Sequence, residues 1–165
     1  LALVSTSLSQ VVLQDVSEKR NRKMYIKSRI YRTFGALALV SIPGIVVVLL
    51  WGRDLFSFVF GEQWRLSGTI AQILVFSYAV KFVVTPLSSV LTALEKLKIL
   101  ALWRISYFAA IMALFLFKDF GVLVFFKIYV AIEVFFYGIY LLLIWWVTRR
   151  YDHSVDLLKM KEDET

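Results

Sequence analysis

The sequence contains no cysteine, one histidine, two prolines and seven glycines. Without cysteine, the chain has no disulfide, no thiolate nucleophile and no cysteine-based metal site. The single histidine, His153, lies in a polar C-terminal segment, so a histidine-based catalytic site has only one such residue to use. Glycine-rich phosphate-binding motifs and the HExxH zinc motif are also absent. We therefore expect no metal site, no cofactor and no enzyme activity.

Apolar residues, in contrast, are abundant. They make up 60% of the 165 residues, and aromatic residues make up 16%. Soluble domains contain about 45–50% apolar residues, and a core of this size buries only about 70% of the chain's surface. The composition therefore argues against a soluble enzyme or a nucleic-acid-binding module.

Four apolar stretches are each long enough to cross a bilayer, which takes about 20 residues. They cover residues 34–51 (with 55–60 as an apolar extension), 66–91, 99–117 and 121–147. Each is apolar on all sides, as expected for helices that face lipid. Residues 1–16 are interpreted as the end of a truncated transmembrane helix, because their apolar part is too short to span. The predicted fold is an all-α membrane helix bundle, with four transmembrane helices in residues 34–147 plus the end of a preceding one.

The net charge of +7 is concentrated between the predicted spans. Residues 15–33 contain seven Lys and Arg against two acidic residues, and 17–33 are predicted to form a basic loop. Residues 95–98 add Lys96 and Lys98, and the polar tail 148–165 has Arg149 and Arg150 near its start, whereas 52–65 and 118–120 are balanced. The positive-inside rule places the basic segments in the cytoplasm, which predicts an inner (plasma) membrane protein with a cytoplasmic C-terminus. The basic loop lies between membrane helices, so its expected partners are membrane lipids and not nucleic acid.

Charged residues within membrane spans are costly and therefore mark candidate functional sites. Lys81 and Glu133 each lie close to the middle of a span, and we expect them to face one another or a common cavity. Arg104 lies nearer the end of its span, where its side chain can reach the headgroups, and is a further candidate for the substrate path.

Polar residues at helical spacing accompany both central charges. The second span carries Ser77 and Thr85 on either side of Lys81, and the fourth span carries Tyr129, Tyr137 and Tyr140 around Glu133. Two interpretations remain open. In one, the hydroxyls bond within their own helices, Lys81 pairs with Glu133 and the tyrosines pack. In the other, the residues line a cavity for a polar substrate, with Glu133 as a proton or cation site.

Two further features of the spans are assigned from their position. Pro43, Gly44 and Pro86 lie inside spans, where proline and glycine favour a kink, so they are hinge candidates. Trp103 lies at one end of the third span, and we interpret it as an anchor in the membrane interface.

Several short segments resemble a known family. The segment 55–64 reads LFSFVFGEQW, the segment 86–91 reads PLSSVL, and the link 94–98 reads LEKLK. Together with residues 8–18, they resemble the C-terminal half of bacterial polysaccharide biosynthesis flippases, in the multidrug/oligosaccharidyl-lipid/polysaccharide exporter superfamily. The resemblance covers residues 5–150.

The resemblance implies a two-lobed transporter without covalent chemistry. Such a flippase moves a polyprenyl-diphosphate-linked oligosaccharide to the outer leaflet for lipopolysaccharide or other surface polysaccharide synthesis. The implied partners are this lipid-linked oligosaccharide substrate, membrane lipids and the remaining N-terminal half of the same transporter. Lys81 and Arg104 are candidates for contacting the diphosphate, and Tyr129, Tyr137 and Tyr140 for contacting sugars. The alternatives are a multidrug or peptidoglycan-precursor exporter of the same superfamily and a four-span membrane scaffold subunit.

Overall fold

The computed structural model describes residues 2–117 and 121–163, and these form helices without any strand. The helices are α1 (Ala2–Asn21), α2 (Lys27–Phe60), α3 (Arg65–Ala93), α4 (Leu97–Ala113) and α5 (Val122–Asp163). Short 3-10 turns at Glu62–Trp64 and Leu114–Phe117 join α2 to α3 and extend α4. The predicted all-α fold is confirmed.

Each of the four predicted spans coincides with a long helix. Helices α2, α3, α4 and α5 are each long and apolar enough to cross a membrane. The apolar segments that contain α3 and α4 include residues of the adjoining 3-10 turns. At 1.5 Å per residue, the 34 residues of α2 extend about 50 Å, more than the roughly 30 Å hydrocarbon core of a bilayer. The helices therefore continue beyond the apolar stretches from which they were predicted.

The predicted basic loop 17–33 is wrong in its extent. Helix α1 continues to Asn21 and α2 begins at Lys27, so only residues 22–26 connect them. The charged residues support the helix, since Lys19 pairs with Asp15 at 3.7 Å and Arg22 with Glu18 at 2.8 Å, both at i,i+4 spacing. The polar tail is likewise helical, because α5 continues to Asp163.

Helix α3 is central to the bundle and packs against α1, α2 and α5. Its second half is buried, with Val84, Leu87 and Leu91 in the main apolar cluster. Val16 of α1 and Ile144 of α5 complete that cluster from either side. This arrangement holds the middle of α3 against α5, where the two central charges lie.

Helices α2 and α3 approach closely where two glycines meet. A Cβ atom added to Gly68 would lie 2.6 Å from the Cα of Arg53 and 2.7 Å from the carbonyl oxygen of Gly52. Beside this contact, the Gln72 side chain donates a hydrogen bond of 2.8 Å to the Leu49 carbonyl. Small residues permit such contact between backbones, and the interhelical hydrogen bond satisfies a polar group in an apolar region.

Residues at one end of the bundle, which we term the basic end, join α1, α3 and α5. It comprises the α1–α2 link, the α3–α4 link and the extension of α5 beyond residue 147. Arg20 donates to the Ala93 carbonyl at the end of α3 (2.8 Å) and pairs with Glu95 at 2.9 Å. A cation at this position satisfies an unpaired helix carbonyl and complements the helix dipole.

The α5 extension also caps α2. The buried Asp152 carboxylate accepts hydrogen bonds from the backbone N–H groups of Ile26 (3.0 Å) and Lys27 (3.1 Å). One turn further along α5, Asp156 accepts a hydrogen bond of 2.6 Å from the Tyr25 hydroxyl, which raises the pKa of Tyr25. A carboxylate at a helix start satisfies N–H groups that have no partner within the helix.

We expect Asp152→Ala to destabilise the chain by about 1–2 kcal/mol, because the backbone N–H groups of Ile26 and Lys27 at the start of α2 lose their acceptor. The measurement is unfolding in detergent micelles, followed by circular dichroism. Asp156→Ala is the matched control, because it removes the same charge from an exposed position one turn away from Asp152. The expected loss of stability there is below about 0.5 kcal/mol. Equal losses in the two variants would contradict a capping role for Asp152.

Candidate functional site

The most unusual residue in the membrane-spanning region is Glu133. It lies in the apolar part of α5, and its side chain is only 1% exposed. An isolated carboxylate is very costly in such surroundings, so it must be paired and hydrogen-bonded or become protonated. The structure provides the first solution.

Four donors from three helices surround the Glu133 carboxylate. The ammonium group of Lys81 (α3) lies 2.6 Å from Oε1, which also accepts a hydrogen bond of 2.7 Å from the Tyr129 hydroxyl. Tyr107 of α4 donates to the same oxygen, and Ser77 of α3 donates to Oε2. The predicted meeting of Lys81 and Glu133 is therefore confirmed, and the pair is electrically neutral.

Lys81 is less enclosed than its partner. Its side chain is 25% exposed, and its ammonium group also donates to the Tyr129 hydroxyl at 3.2 Å. The same nitrogen lies 5.6 Å from the ring centre of Tyr129, 5.8 Å from that of Tyr78 and 5.9 Å from that of Tyr137. Aromatic faces attract cations at these distances. Lys81 thus has a partly open, aromatic environment, whereas the carboxylate is hidden.

An aromatic layer lies beside the ion pair, between α4 and α5. The Trp103 ring stacks on Tyr140 at 4.2 Å and on Tyr107 at 5.4 Å, and it meets the edge of Tyr137. Its indole N–H donates to the Phe136 carbonyl at 3.0 Å. The Trp103 ring and its N–H are therefore used within the bundle, and its interpretation as an interfacial anchor stays a prediction.

Tyr107 is not among the site residues predicted from the sequence, although it contacts Glu133 directly. Trp103 and Tyr107 are four residues apart on α4 and therefore lie on one face of that helix. This i,i+4 aromatic pair is the pattern that could have identified the face of α4 that packs on α5.

Two predicted site residues belong neither to the donors around Glu133 nor to the aromatic layer. Thr85 is exposed, and its carbonyl accepts a hydrogen bond from Ser88 at 2.7 Å. Arg104 is also exposed and is not one of the four donors at the Glu133 carboxylate. Tyr137 and Tyr140 belong to the aromatic layer, while Ser77 and Tyr129 join Lys81 at Glu133.

The hinge candidates lie within continuous helices. Pro43 and Gly44 are exposed in the middle of α2, and a Cβ at Gly44 would meet no atom within 4 Å. Pro86 is buried in α3, where its carbonyl accepts a hydrogen bond of 2.6 Å from Ser89. The helix is unbroken at all three positions, and their role as hinges stays a prediction.

An apolar cavity of about 630 Å³ adjoins the group of side chains around Glu133. It lies between α4 and α5, on the side away from the basic end, and Met112, Phe115 and Phe126 contribute to its lining. Tyr129 also lines it, so this residue contacts both the cavity and the ion pair. An apolar group in the cavity would therefore lie next to Lys81 and Glu133.

The arrangement can hold a charge within an apolar region or exchange it. Ser77, Tyr107 and Tyr129 remain as donors to Glu133 if Lys81 moves away, so the carboxylate keeps hydrogen bonds without its counter-ion.

Comparisons of the chain with known protein families, curated proteins and solved structures found no match.

Proposed function

We propose that this chain is part of an exporter that moves a polyprenyl-diphosphate-linked oligosaccharide across the bacterial inner membrane, with its basic end in the cytoplasm. The observation that carries the proposal is the Lys81–Glu133 ion pair within the spans. Ionisable residues inside membrane helices commonly mark substrate or ion pathways. The resemblance of segments 55–64 and 86–91 to polysaccharide flippases supports this class of substrate.

In this proposal, the substrate diphosphate replaces Glu133 as the partner of Lys81. Lys81 is the more accessible partner, since its side chain is 25% exposed against 1% for Glu133. An entering diphosphate competes for that ammonium, while Ser77, Tyr107 and Tyr129 continue to stabilise the carboxylate. After release, the ion pair forms again and neutralises both charges. The step is an exchange of ionic partners in which no covalent bond forms or breaks.

Other parts of the site suit the remainder of such a substrate. Tyr78, Tyr129 and Tyr137 surround the Lys81 ammonium with aromatic faces and hydroxyl groups. Aromatic faces pack against the C–H faces of sugars, and hydroxyls exchange hydrogen bonds with them. The apolar cavity beside Tyr129 has the composition that an isoprenoid chain requires.

The experiment that tests the proposal is replacement of Lys81 in the native host. We expect Lys81→Ala to lower surface polysaccharide by about tenfold or more at normal protein level, since a contact to a charged group contributes about 1.5–3 kcal/mol. Lys127→Ala is the matched control, because Lys127 is an exposed lysine within a span. Polysaccharide is quantified on the cell surface and the protein by immunoblot.

The double variant Lys81→Ala/Glu133→Ala separates transport from stability. It removes both charges, so the protein level should recover relative to Glu133→Ala alone. If Lys81 binds substrate, export stays low in the double variant. Recovery of export would contradict the proposal and indicate that the pair only holds the helices together.

The complete hydrogen bonding of Glu133 favours a second candidate, a four-span membrane scaffold subunit. A carboxylate with four donors from α3, α4 and α5 is what a purely structural contact requires. For the scaffold, export follows protein level in every variant. A multidrug or peptidoglycan-precursor exporter would instead show altered drug susceptibility or accumulated cell-wall precursors in Lys81→Ala.

A further inference from the structure

A second cavity, of about 300 Å³, lies at the basic end between α1, the start of α4 and the α5 extension. Its lining includes Arg20, Lys96 and Arg150, one from each of these three parts of the chain. It is separate from the Lys81–Glu133 cluster in the spans. Pockets of this size are at the small end of those that hold ligands, which suits a headgroup better than a large substrate.

The cavity presents positive charge that the protein only partly balances. Arg20 is paired with Glu95 at 2.9 Å. Lys96 and Arg150 have no ion pair within residues 2–117 and 121–163. Helix α4 begins directly after Lys96, and no side chain of its own caps this start. Its first N–H groups and the positive end of its dipole add to the attraction for an anion.

Aromatic residues indicate the depth of the cavity in the membrane. Trp146 and Tyr151 line it, and the Arg150 guanidinium lies 5.4 Å from the Trp146 ring. Tryptophan and tyrosine with this environment are typical of the headgroup region, where one part of the ring is apolar and the other is wet. Leu94 and Ile99 supply apolar surface in the same cavity.

From this geometry we propose that the cavity binds the phosphate headgroup of an anionic membrane lipid. Lys96 and Arg150 contact the phosphate, and the start of α4 faces it. Apolar Leu94 and Ile99 contact the glycerol or the first carbons of the lipid chain. A bound lipid joins α1, α4 and α5 at the basic end. This site does not depend on the proposed transport function.

The test is lipid binding to the purified full chain, measured by native mass spectrometry in detergent. Phosphatidylglycerol, phosphatidylcholine and polyprenyl diphosphate are titrated separately. Lys96→Gln/Arg150→Gln should weaken phosphatidylglycerol binding about 30-fold, because each basic residue near an anionic headgroup contributes about 1 kcal/mol. Lys98→Gln/Arg149→Gln is the matched control: it removes the same charge at neighbouring exposed positions that do not line the cavity.

Each outcome of the titration decides the proposal. Loss of anionic-lipid binding in the cavity variant, with retention in the control, supports the site. The anionic lipid with the lower Kd then identifies the source of the phosphate. Equal weakening in the two variants, or equal affinity for phosphatidylcholine, overturns the proposal in favour of general surface attraction. Circular dichroism checks folding, and the single variant Lys96→Gln gives the same test if the double variant unfolds.

Discussion

Glu133→Ala is expected to lower the free energy of unfolding by about 3–5 kcal/mol, the largest effect of any single substitution that we predict. The substitution leaves the Lys81 ammonium in an apolar region without its counter-ion, and it removes the acceptor of Ser77, Tyr107 and Tyr129. Unpaired polar groups in such surroundings cost more than the hydrogen bonds themselves contribute. The measurement is unfolding in mixed micelles with increasing SDS.

A double-mutant cycle isolates the ionic part of this effect. Lys81→Met removes the charge that Glu133→Ala leaves behind, so the double variant should be more stable than Glu133→Ala alone. It should stay below the wild type, because three hydroxyl groups still lack their acceptor. Lys127→Ala, at an exposed position of α5, should change stability by less than about 0.5 kcal/mol. If Glu133→Ala unfolds at the same SDS fraction as this control, the pairing with Lys81 is refuted.

The second large effect is expected where α2 and α3 cross. Gly68→Ala should destabilise the chain by about 1–3 kcal/mol, because the new methyl group overlaps backbone atoms of Gly52 and Arg53 that cannot rotate away. The helices must separate, which also lengthens the hydrogen bond from Gln72 to the Leu49 carbonyl. Thermal unfolding in detergent micelles measures the change.

Gly44→Ala is the matched control for this prediction. A Cβ at Gly44 meets no atom within 4 Å, so the substitution adds only the better helix propensity of alanine, about 1 kcal/mol at most. The same change of residue should therefore have opposite signs at the two positions. A gain in stability for Gly68→Ala would show that α2 and α3 do not cross at these glycines.

Part of the site follows from single helices and their depth in the membrane. The pairing of Lys81 with Glu133 could be predicted because a charged residue near the middle of an apolar span needs a partner. These two residues lie at matching depths in their spans. Ser77 lies one helical turn from Lys81 and shares its face. Thr85 was predicted by the same spacing but is exposed. Each step of four residues rotates the side chain by about 40° in the same sense, so Thr85 lies about 80° around α3 from the buried Ser77.

Residues on other helices could not be placed from the sequence. Helix α4 is apolar on all sides, so hydropathy does not show which face turns toward α5, and Tyr107 was missed. Asp152 was missed because its partners, Ile26 and Lys27, are distant in the chain. The predicted loop 17–33 failed for a related reason: charge marks the end of an apolar span, but it does not end a helix whose charged residues pair along its surface.

The sequence by itself determined the all-α fold and the four apolar helices, because hydropathy and length decide which segments can satisfy their backbone inside a membrane. It also indicated the two charges that need a partner. The tertiary structure decided which tyrosines reach Glu133, where α2 begins, how closely α2 and α3 approach, and which basic residues share a cavity. These depend on the rotation and crossing of helices, and contacts between side chains distant in the chain set both.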